Sequence, residues 1–248
     1  MLTITIKPIL CTSVALLLSV GLPSIATAQL ELDVETGAAL SGYNKVRIPG
    51  DEGTFINLNE SLDATTTWFY RLRLSYTINE AHTISALFAP LDIRYDGVFG
   101  QELRFQDATF AATEPLNVDY QFNSYRLTYR YNFPRWRDFR FGIGATAKIR
   151  DAKVAVNGVE KTNVGFVPLI NFRAEWMAKE RLSIVLRGDA LAAPQGRAED
   201  VLLAAEFYPS RLVTLKLGYR ILEGGADNDE VYNFTLVHYA VIGGIFTF

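Results

Sequence analysis

The sequence predicts an all-β protein, a closed antiparallel transmembrane β-barrel of about ten strands, and three observations lead to this prediction. Apolar and polar residues alternate one by one along most of the chain. The connections between the alternating segments are short at one end and generally longer at the other. The final segment ends on an aromatic residue, Phe248.

The composition limits the class of protein. The chain has 248 residues, of which 49% are hydrophobic and 21% charged, so it is too apolar for a disordered chain and too charged for a polytopic helical membrane protein. A net charge of -3 gives no indication of nucleic-acid binding. The mean hydropathy of +0.11 indicates that apolar and charged residues are finely interleaved.

Residues 1–28 have the features of a secretory signal peptide, which leaves 29–248 as the barrel domain. An apolar run from Ile9 to Leu22 is followed by Ala26 and Ala28, small residues that mark a cleavage site. The run is shorter than the ~20 residues that a spanning helix needs. Cleavage removes Cys11, the only cysteine, so we expect no disulfide or thiol chemistry in the exported chain.

The alternation is that of strands with one apolar and one polar face. In one example Tyr70, Leu72 and Leu74 alternate with Arg71 and Arg73, whereas a helix would scatter these charges around its circumference. We predict ten such strands, with eight as the alternative count. They cover 30–48, 64–79, 82–96, 118–133, 138–154, 163–178, 181–192, 199–208, 211–224 and 231–248.

The connections differ in length between the two ends of these segments. The tight turns are 79–82, 134–138, 178–181 and 208–211, and the longer connections are 49–63, 97–117, 155–162, 193–198 and 225–230. This asymmetry is typical of a transmembrane β-barrel, whose short turns face the periplasm and whose longer loops are extracellular. Within the third segment, Ala89-Pro90 predicts a bulge that shifts the phase of the alternation.

A soluble β-sandwich also alternates, but two features favour the barrel. The apolar face is rich in aromatic residues near strand ends, as in the girdles of membrane barrels, and the other face mixes small residues with arginine. In the last strand, Phe246 and Phe248 share the apolar face and the chain ends on the second of them.

This ending resembles the terminal assembly signal of Gram-negative outer-membrane barrels. The resemblance implies residence in the outer membrane, with its lipid and lipopolysaccharide, the barrel assembly machinery and periplasmic chaperones as partners. It leaves the oligomeric state open.

The polar face predicts a lumen filled by charged side chains, because barrels of ~8 strands are packed inside. Asp92 and Arg94 are also placed on this face. A network of ion pairs that fills the barrel is the favoured interpretation, and an anion-selective path, suggested by the basic excess, is the alternative. The predicted network consists of Glu31, Asp33, Glu35, Arg71, Arg73, Arg126, Arg130, Arg173, Glu175, Arg187, Asp189, Glu206, Lys216 and Arg220.

The last loop is acidic and offers oxygen ligands for a cation. Asp227, Asp229 and Glu230 lie close together in it, but their spacing is not that of a helix-loop-helix calcium site. A solvated acidic loop is the favoured interpretation. No motif for a cofactor is present, so we expect none.

His238 is the one candidate for catalysis. The omptin proteases are ten-strand barrels that use an Asp pair with an Asp-His pair at the outer rim, and the lipid A deacylases use a His and a Ser on the outer wall. His238 has no Asp-x-His or His-x-Ser partner in the sequence. A structural or binding role at the cell surface is therefore the expected function, with a small anion-preferring pore and an enzyme acting on lipid A or peptides as alternatives.

Overall fold

The computed structural model describes residues 28–193 and 196–248, so nearly all of the predicted signal peptide lies outside the described residues. Within the described part, no helix is long and apolar enough to cross a membrane. The elements are β1 (Ala28–Arg47), β2 (Ile56–Asn57), α1 (Leu58–Ser61), β3 (Asp63–Ala64), β4 (Thr67–Ile78), β5 (His82–Ala89), β6 (Asp92–Val98), β7 (Leu103–Phe105), β8 (Ala108–Phe110), β9 (Pro115–Asn132), β10 (Phe139–Val156), β11 (Val159–Lys179), β12 (Leu182–Ala193), β13 (Gly196–Phe207), β14 (Val213–Asp227) and β15 (Tyr232–Thr247).

The long strands form a closed antiparallel barrel in which each strand pairs with its neighbours in the chain. β5 and β6 together make one strand of the wall. The barrel closes where β1 pairs with β15, for example at Glu31 and Thr247. The predicted ten-strand closed barrel is confirmed, and the alternative count of eight is wrong.

An apolar belt surrounds the outside of the barrel. Leu127, Ile143 and Leu217 are each more than half exposed on this outer surface. Aromatic residues border the belt, with Trp68 near one rim and Trp176 near the other. On β9 the belt runs from residue 125 to 133, which matches the about 9–11 residues of a tilted membrane-crossing strand.

Beyond one edge of the belt the polarity of the strands is reversed. On β9, Val118 and Tyr120 point inward and are buried, while Asn117 and Asp119 point outward and are exposed. Here the barrel has an apolar interior and a polar exterior, as a soluble protein has. The barrel wall therefore continues beyond the belt at this end, which we call the loop end; the opposite end is the turn end.

The bulge predicted at Ala89 is absent. Ala89 pairs with Ser124 and Asp92 with Gln121, so the register is the same on both sides of the step. Asp92 and Arg94 therefore point outward and are exposed, and their predicted place in the lumen is wrong. The sequence changes at this step because the environment changes from lipid outside to water outside, while the phase of the strand stays the same.

The connections at the turn end are short, as predicted, but only two of those at the loop end are long. Residues 48–66 and 99–114 form these two connections. The connection predicted at 155–162 is a two-residue hairpin, in which Asn157 (φ 46°) and Gly158 (φ 86°) both have the left-handed backbone that such turns favour. The two other expected long connections, 193–198 and 225–230, are partly strand, since β13 begins at Gly196 and β14 continues to Asp227.

Both long connections fold over and into the barrel. Leu58 of α1 is 1% exposed, and Phe105 of the β7–β8 hairpin is 2% exposed. The backbone amide of Thr54 donates a hydrogen bond to the carbonyl oxygen of Arg104 (2.9 Å), which joins the two connections. They form an apolar core with the inward side chains of β6 and β9, including Ile93 and Val118.

Candidate functional site

Asp200 on β13 lies at the centre of the charge network that crosses the lumen. Its carboxylate accepts hydrogen bonds from Arg71 on β4 (2.8 Å), from Arg126 on β9 (2.6 Å) and from Arg220 on β14. The side chain is 2% exposed. β14 is the neighbour of β13, whereas β4 and β9 lie across the barrel from it, so one carboxylate connects opposite walls.

Asp33 and Glu35 on β1 form the adjoining part of the network. Lys216 donates to Asp33 (2.6 Å) and to Glu35 (3.0 Å). Arg187 donates to both carboxylates, at 2.6 Å to Asp33. Arg220 donates to Glu35 (2.6 Å) as well as to the central aspartate, so the two parts are continuous.

Asp189 on β12 completes this layer. It accepts hydrogen bonds from Arg126 (2.7 Å), Thr146 (2.6 Å) and Asn171 (2.8 Å). A buried carboxylate with three donors is fully compensated for its loss of water. Both side chains of each pair are buried, unlike those of surface salt bridges, so the pairs hold the strands together tightly.

Toward the turn end lies a second, smaller group of ion pairs. Arg173 contacts Glu175 at 3.1 Å and Glu206 at 3.4 Å. The Tyr208 hydroxyl donates to Glu175 at 3.1 Å. Glu31 accepts a hydrogen bond from Gln29 instead of an arginine.

Two predicted lumen residues lie here without a carboxylate partner among the described residues. Arg73 donates to the hydroxyl of Ser85 (3.4 Å), and Arg130 donates to the amide oxygen of Asn132 (2.8 Å). The structure thus places all the predicted network residues on the inner wall and pairs most of them.

The predicted network does not include Asp200, which contacts three arginines. The alternation could have placed it in the lumen, because it lies in the predicted segment 199–208 an even number of positions from Glu206, a predicted lumen residue.

A cavity of about 800 Å³ lies between the network and the loop end, and we call it the loop-end cavity. Tyr120, Phe122 and Leu222 form part of its apolar wall, and Lys148 and Arg150 bring positive charge to it. Its size is within the range of small-molecule sites, about 300–1,000 Å³. A second, much smaller cavity of about 30 Å³ lies among the network residues and reaches toward the turn end at Arg130.

His238 points outward from β15 and stacks on Tyr219, with ring centroids 6.0 Å apart. Its Nδ1 is 2.5 Å from the Tyr219 hydroxyl. Among the described residues no carboxylate forms a hydrogen bond or ion pair with it. The second histidine, His82, lies at the turn end, beside the hydroxyl of Tyr129 (2.9 Å).

The acidic loop does not assemble a cation site in the part of the chain that the structure describes, where no cluster of three metal-ligating side chains occurs. Glu230 forms an ion pair with Lys161 (3.1 Å). Asn228 closes the turn, since its side-chain oxygen accepts hydrogen bonds from the backbone amides of Glu230 and Val231. Asp227 and Asp229 lie in or beside the same turn.

The last strand completes the barrel wall. Phe246 and Phe248 are 42% and 72% exposed on the outer surface at the turn end. The backbone amide of Phe248 donates to the carbonyl oxygen of Leu30 (2.9 Å), next to the start of β1. The first and last residues of the barrel thus lie side by side.

Comparison of the fold with solved structures finds outer-membrane β-barrels. The outer membrane protease OmpT from Escherichia coli matches with a TM-score of 0.56 and 9% identity, over 89% of this chain and 97% of that chain. The translocator domain of the autotransporter NalP from Neisseria meningitidis matches with a TM-score of 0.43 and 10% identity, over 91% and 90%. Ail, the attachment invasion locus protein of Yersinia pestis, matches with a TM-score of 0.34 and 11% identity, over 88% and 98%.

No protein-family model matches the chain, and no curated protein matches it. At 9% identity, the similarity to OmpT concerns the fold and carries no activity to this chain. The closed ten-strand wall, the apolar belt and the similarity of the fold to OmpT agree. The chain therefore has the fold of the Gram-negative outer-membrane β-barrel proteins.

Proposed function

We propose that this protein is an outer-membrane β-barrel with a closed lumen, and that it has a structural or binding role at the cell surface. The observation that carries the proposal is the buried charge network centred on Asp200, which connects opposite walls of the barrel. Above it, the two long connections pack into the barrel with their apolar side chains. A barrel of this size is filled by side chains, and only larger barrels hold a wide channel.

The proposed orientation puts the turn end in the periplasm and the loop end outside the cell. Short periplasmic turns and longer extracellular loops are the general arrangement in such barrels. Residues 1–28 act as the cleaved export signal in this proposal. Phe246 and Phe248 present the final strand to the barrel assembly machinery, after periplasmic chaperones have delivered the unfolded chain.

Lipopolysaccharide is the proposed lipid partner at the outer surface. Just beyond the belt, Arg47 lies over the Tyr232 ring (5.4 Å) and Arg197 lies over the Phe234 ring (5.5 Å). Cations held beside aromatic rings at a membrane interface are suited to phosphate groups on neighbouring lipids. This arrangement supports the loop end as the side that faces the outer leaflet.

Single-channel recording in planar bilayers tests the closed lumen. Protein whose folding has been verified by heat-modifiable migration on gels is expected to give no stable conductance steps. The folding check is necessary because misfolded protein would also be silent. Stable steps would contradict the proposal, and anion-selective steps would establish the pore alternative, which the basic excess in the lumen motivates.

The enzyme alternative has a separate test in lipid A. We expect the mass spectrum of lipid A from cells expressing His238→Ala to equal that from cells expressing the unchanged chain. The reason is the outward position of His238 against Tyr219, without a carboxylate to orient it. A modification of lipid A lost only in the variant would favour the enzyme.

A further inference from the structure

We propose that the loop-end cavity binds an amphiphile that carries one anionic head group, a carboxylate or a phosphate, on an apolar body. The inference rests on the proposed function, because the cavity ends inside the barrel only if the network closes the lumen beneath it. It adds the chemical class of the ligand, which follows from the charges and walls of the cavity.

Lys148 is the first observation. It is 2% exposed, and its ammonium lies 4.7 Å from the centroid of the Phe122 ring. Among the described residues it forms no ion pair. A buried ammonium without a carboxylate is costly, because burial removes its water and nothing negative replaces it.

The network below does not compensate this charge. Its central layer has fewer carboxylates than cations even before Lys148 is counted. Its carboxylates are Asp33, Glu35, Asp189 and Asp200, and its cations are Arg71, Arg126, Arg187, Lys216 and Arg220. The layer therefore has no spare carboxylate for Lys148, which lines the cavity, so an anionic group from a ligand would be stabilised there.

Arg150, two residues farther along β10, adds a second cation. Its guanidinium donates to the amide oxygen of Asn163, and it has no carboxylate partner among the described residues. Its Nε is a buried donor without a hydrogen-bond acceptor. The two cations lie on the same inner face of β10, so one head group can contact both.

The remaining wall is suited to an apolar body. Leu91 between β5 and β6, Tyr120 on β9, Val154 on β10 and Leu222 on β14 line the cavity.

Three carboxylates also line the cavity, and none of them pairs with Lys148 or Arg150. Glu230 is paired with Lys161 and Glu223 with Arg197, and Asp229 is exposed. The ligand therefore needs an anionic head group for the buried cations, but no second, positive group for the carboxylates near the opening.

The cavity also reaches a strand edge that has no strand partner within residues 28–193 and 196–248. There, β11 pairs with β12 from Lys179 to Ile170 and continues along β10 to Val159. The edge carries Val164 and Phe166, 69% and 65% exposed, and Pro168, a residue typical of strand edges. Apolar molecules can therefore approach the cavity from the side as well as from the loop end.

Isothermal titration of the refolded chain in phosphatidylcholine nanodiscs tests the proposal, with dodecanoate as the probe below its micelle concentration. We expect saturable binding with one site per chain, and binding of dodecanol about tenfold weaker or worse because it lacks the charge. Lys148→Met should weaken dodecanoate binding about tenfold or more, while Lys148→Arg should retain it. Lys179→Met, an exposed lysine at the turn end, is the matched control and should bind normally.

Three results would overturn the proposal. They are equal binding of dodecanoate and dodecanol, unchanged dodecanoate binding by Lys148→Met that migrates as a folded barrel, and a complete lack of saturable binding. Lys148→Met keeps the length of the side chain and removes an unpaired charge, so we expect it to fold.

The source of the ligand is distinguished by mass spectrometry of lipids that remain with protein purified from the outer membrane. A phosphate-bearing lipid present with the unchanged chain and lost in Lys148→Met would identify the membrane as the source, and dodecanoate binding without such a lipid would identify the medium.

The conductance experiment distinguishes failure of the ligand proposal from failure of the proposed function. Silent bilayers without dodecanoate binding would remove only the ligand class, whereas conductance steps would remove the closed lumen itself.

Discussion

Asp200 connects opposite walls of the lumen through three arginines. Its carboxylate holds Arg71, Arg126 and Arg220, and all four side chains are nearly inaccessible to solvent. Removing one partner from a buried ionic network leaves charges that neither water nor protein compensates, at a cost of about 3–5 kcal/mol.

We predict that Asp200→Asn lowers the free energy of unfolding by about 3 kcal/mol or more. The measurement is urea unfolding of the protein in lipid vesicles. Glu199→Gln, a neighbour on the outer face of the same strand, is the control, and its effect should stay within about 0.5 kcal/mol. Equal stability of Asp200→Asn and the unchanged chain would show that the network is not important for the fold.

Gly37 permits the close approach of β1 and β15, the strands that close the barrel. Its φ is +139°, and a Cβ placed on it would lie 2.0 Å from the carbonyl oxygen of Ala240. That oxygen belongs to the backbone of the opposite strand, so it can move only if the pairing of the strands changes.

We predict that Gly37→Ala destabilises the barrel by about 1–3 kcal/mol, the cost of backbone strain at such a position. The same unfolding measurement applies. Gly165→Ala is the control, because its new Cβ would meet only the flexible end of the Arg150 side chain, 3.0 Å away. If both variants were equally stable, the tight β1–β15 contact would have no energetic role.

At the scale of elements, strand positions follow from the sequence because the period of two is set by the backbone alone. The predicted segment 181–192 corresponds to β12 (Leu182–Ala193), and 138–154 corresponds to β10 (Phe139–Val156). The lipid on one side and the packed lumen on the other keep this alternation strict.

The reversal of polarity beyond the belt was harder to predict. Periodicity locates a strand but does not say which solvent faces it, so the change at Ala89 was interpreted as a bulge. The cavity was also beyond sequence reasoning, since its lining comes from segments that lie far apart, such as Leu91 and Leu222. The place of Lys148 on the inner face follows from alternation, but its lack of a partner requires the three-dimensional structure.

The last strand packs in the barrel wall and, in our proposal, is recognised by the assembly machinery. A single substitution can separate these two roles. Phe248 is mostly exposed, so Phe248→Ala removes little packing from the folded barrel. We predict several-fold less folded protein in the outer membrane of cells, measured by heat-modifiable migration, with normal refolding of the purified variant in detergent. The control is Phe133→Ala, another exposed aromatic residue at the turn end.

Normal levels of folded Phe248→Ala in cells would contradict a recognition role for this residue. Poor refolding of the purified variant would instead assign the loss to stability. The two measurements together separate recognition by the assembly machinery from the packing of the strand.

At the scale of the whole molecule, the barrel consists of two parts stacked along one axis. The belt part has lipid-facing apolar residues around a charged interior, and the loop-end part has a polar exterior around an apolar interior. The same strands continue through both parts. The net charge of -3 is small although the lumen holds many charged side chains, because most of them are paired with the opposite charge.

The central claim is that the lumen is closed while the cavity is open to the outside, and cysteine labelling tests it most directly. Ala152 lines the loop-end cavity, and Thr77 lies on the inner wall at the turn end. A cysteine is introduced at one position at a time, in a chain whose own Cys11 is in the predicted signal peptide. A membrane-impermeant maleimide is then added to intact cells.

We predict that Ala152→Cys is labelled in intact cells, whereas Thr77→Cys is labelled only after the reagent is given access to the periplasm. Labelling of Thr77→Cys in intact cells at the same rate as Ala152→Cys would contradict the claim, because it would demonstrate a continuous path through the barrel.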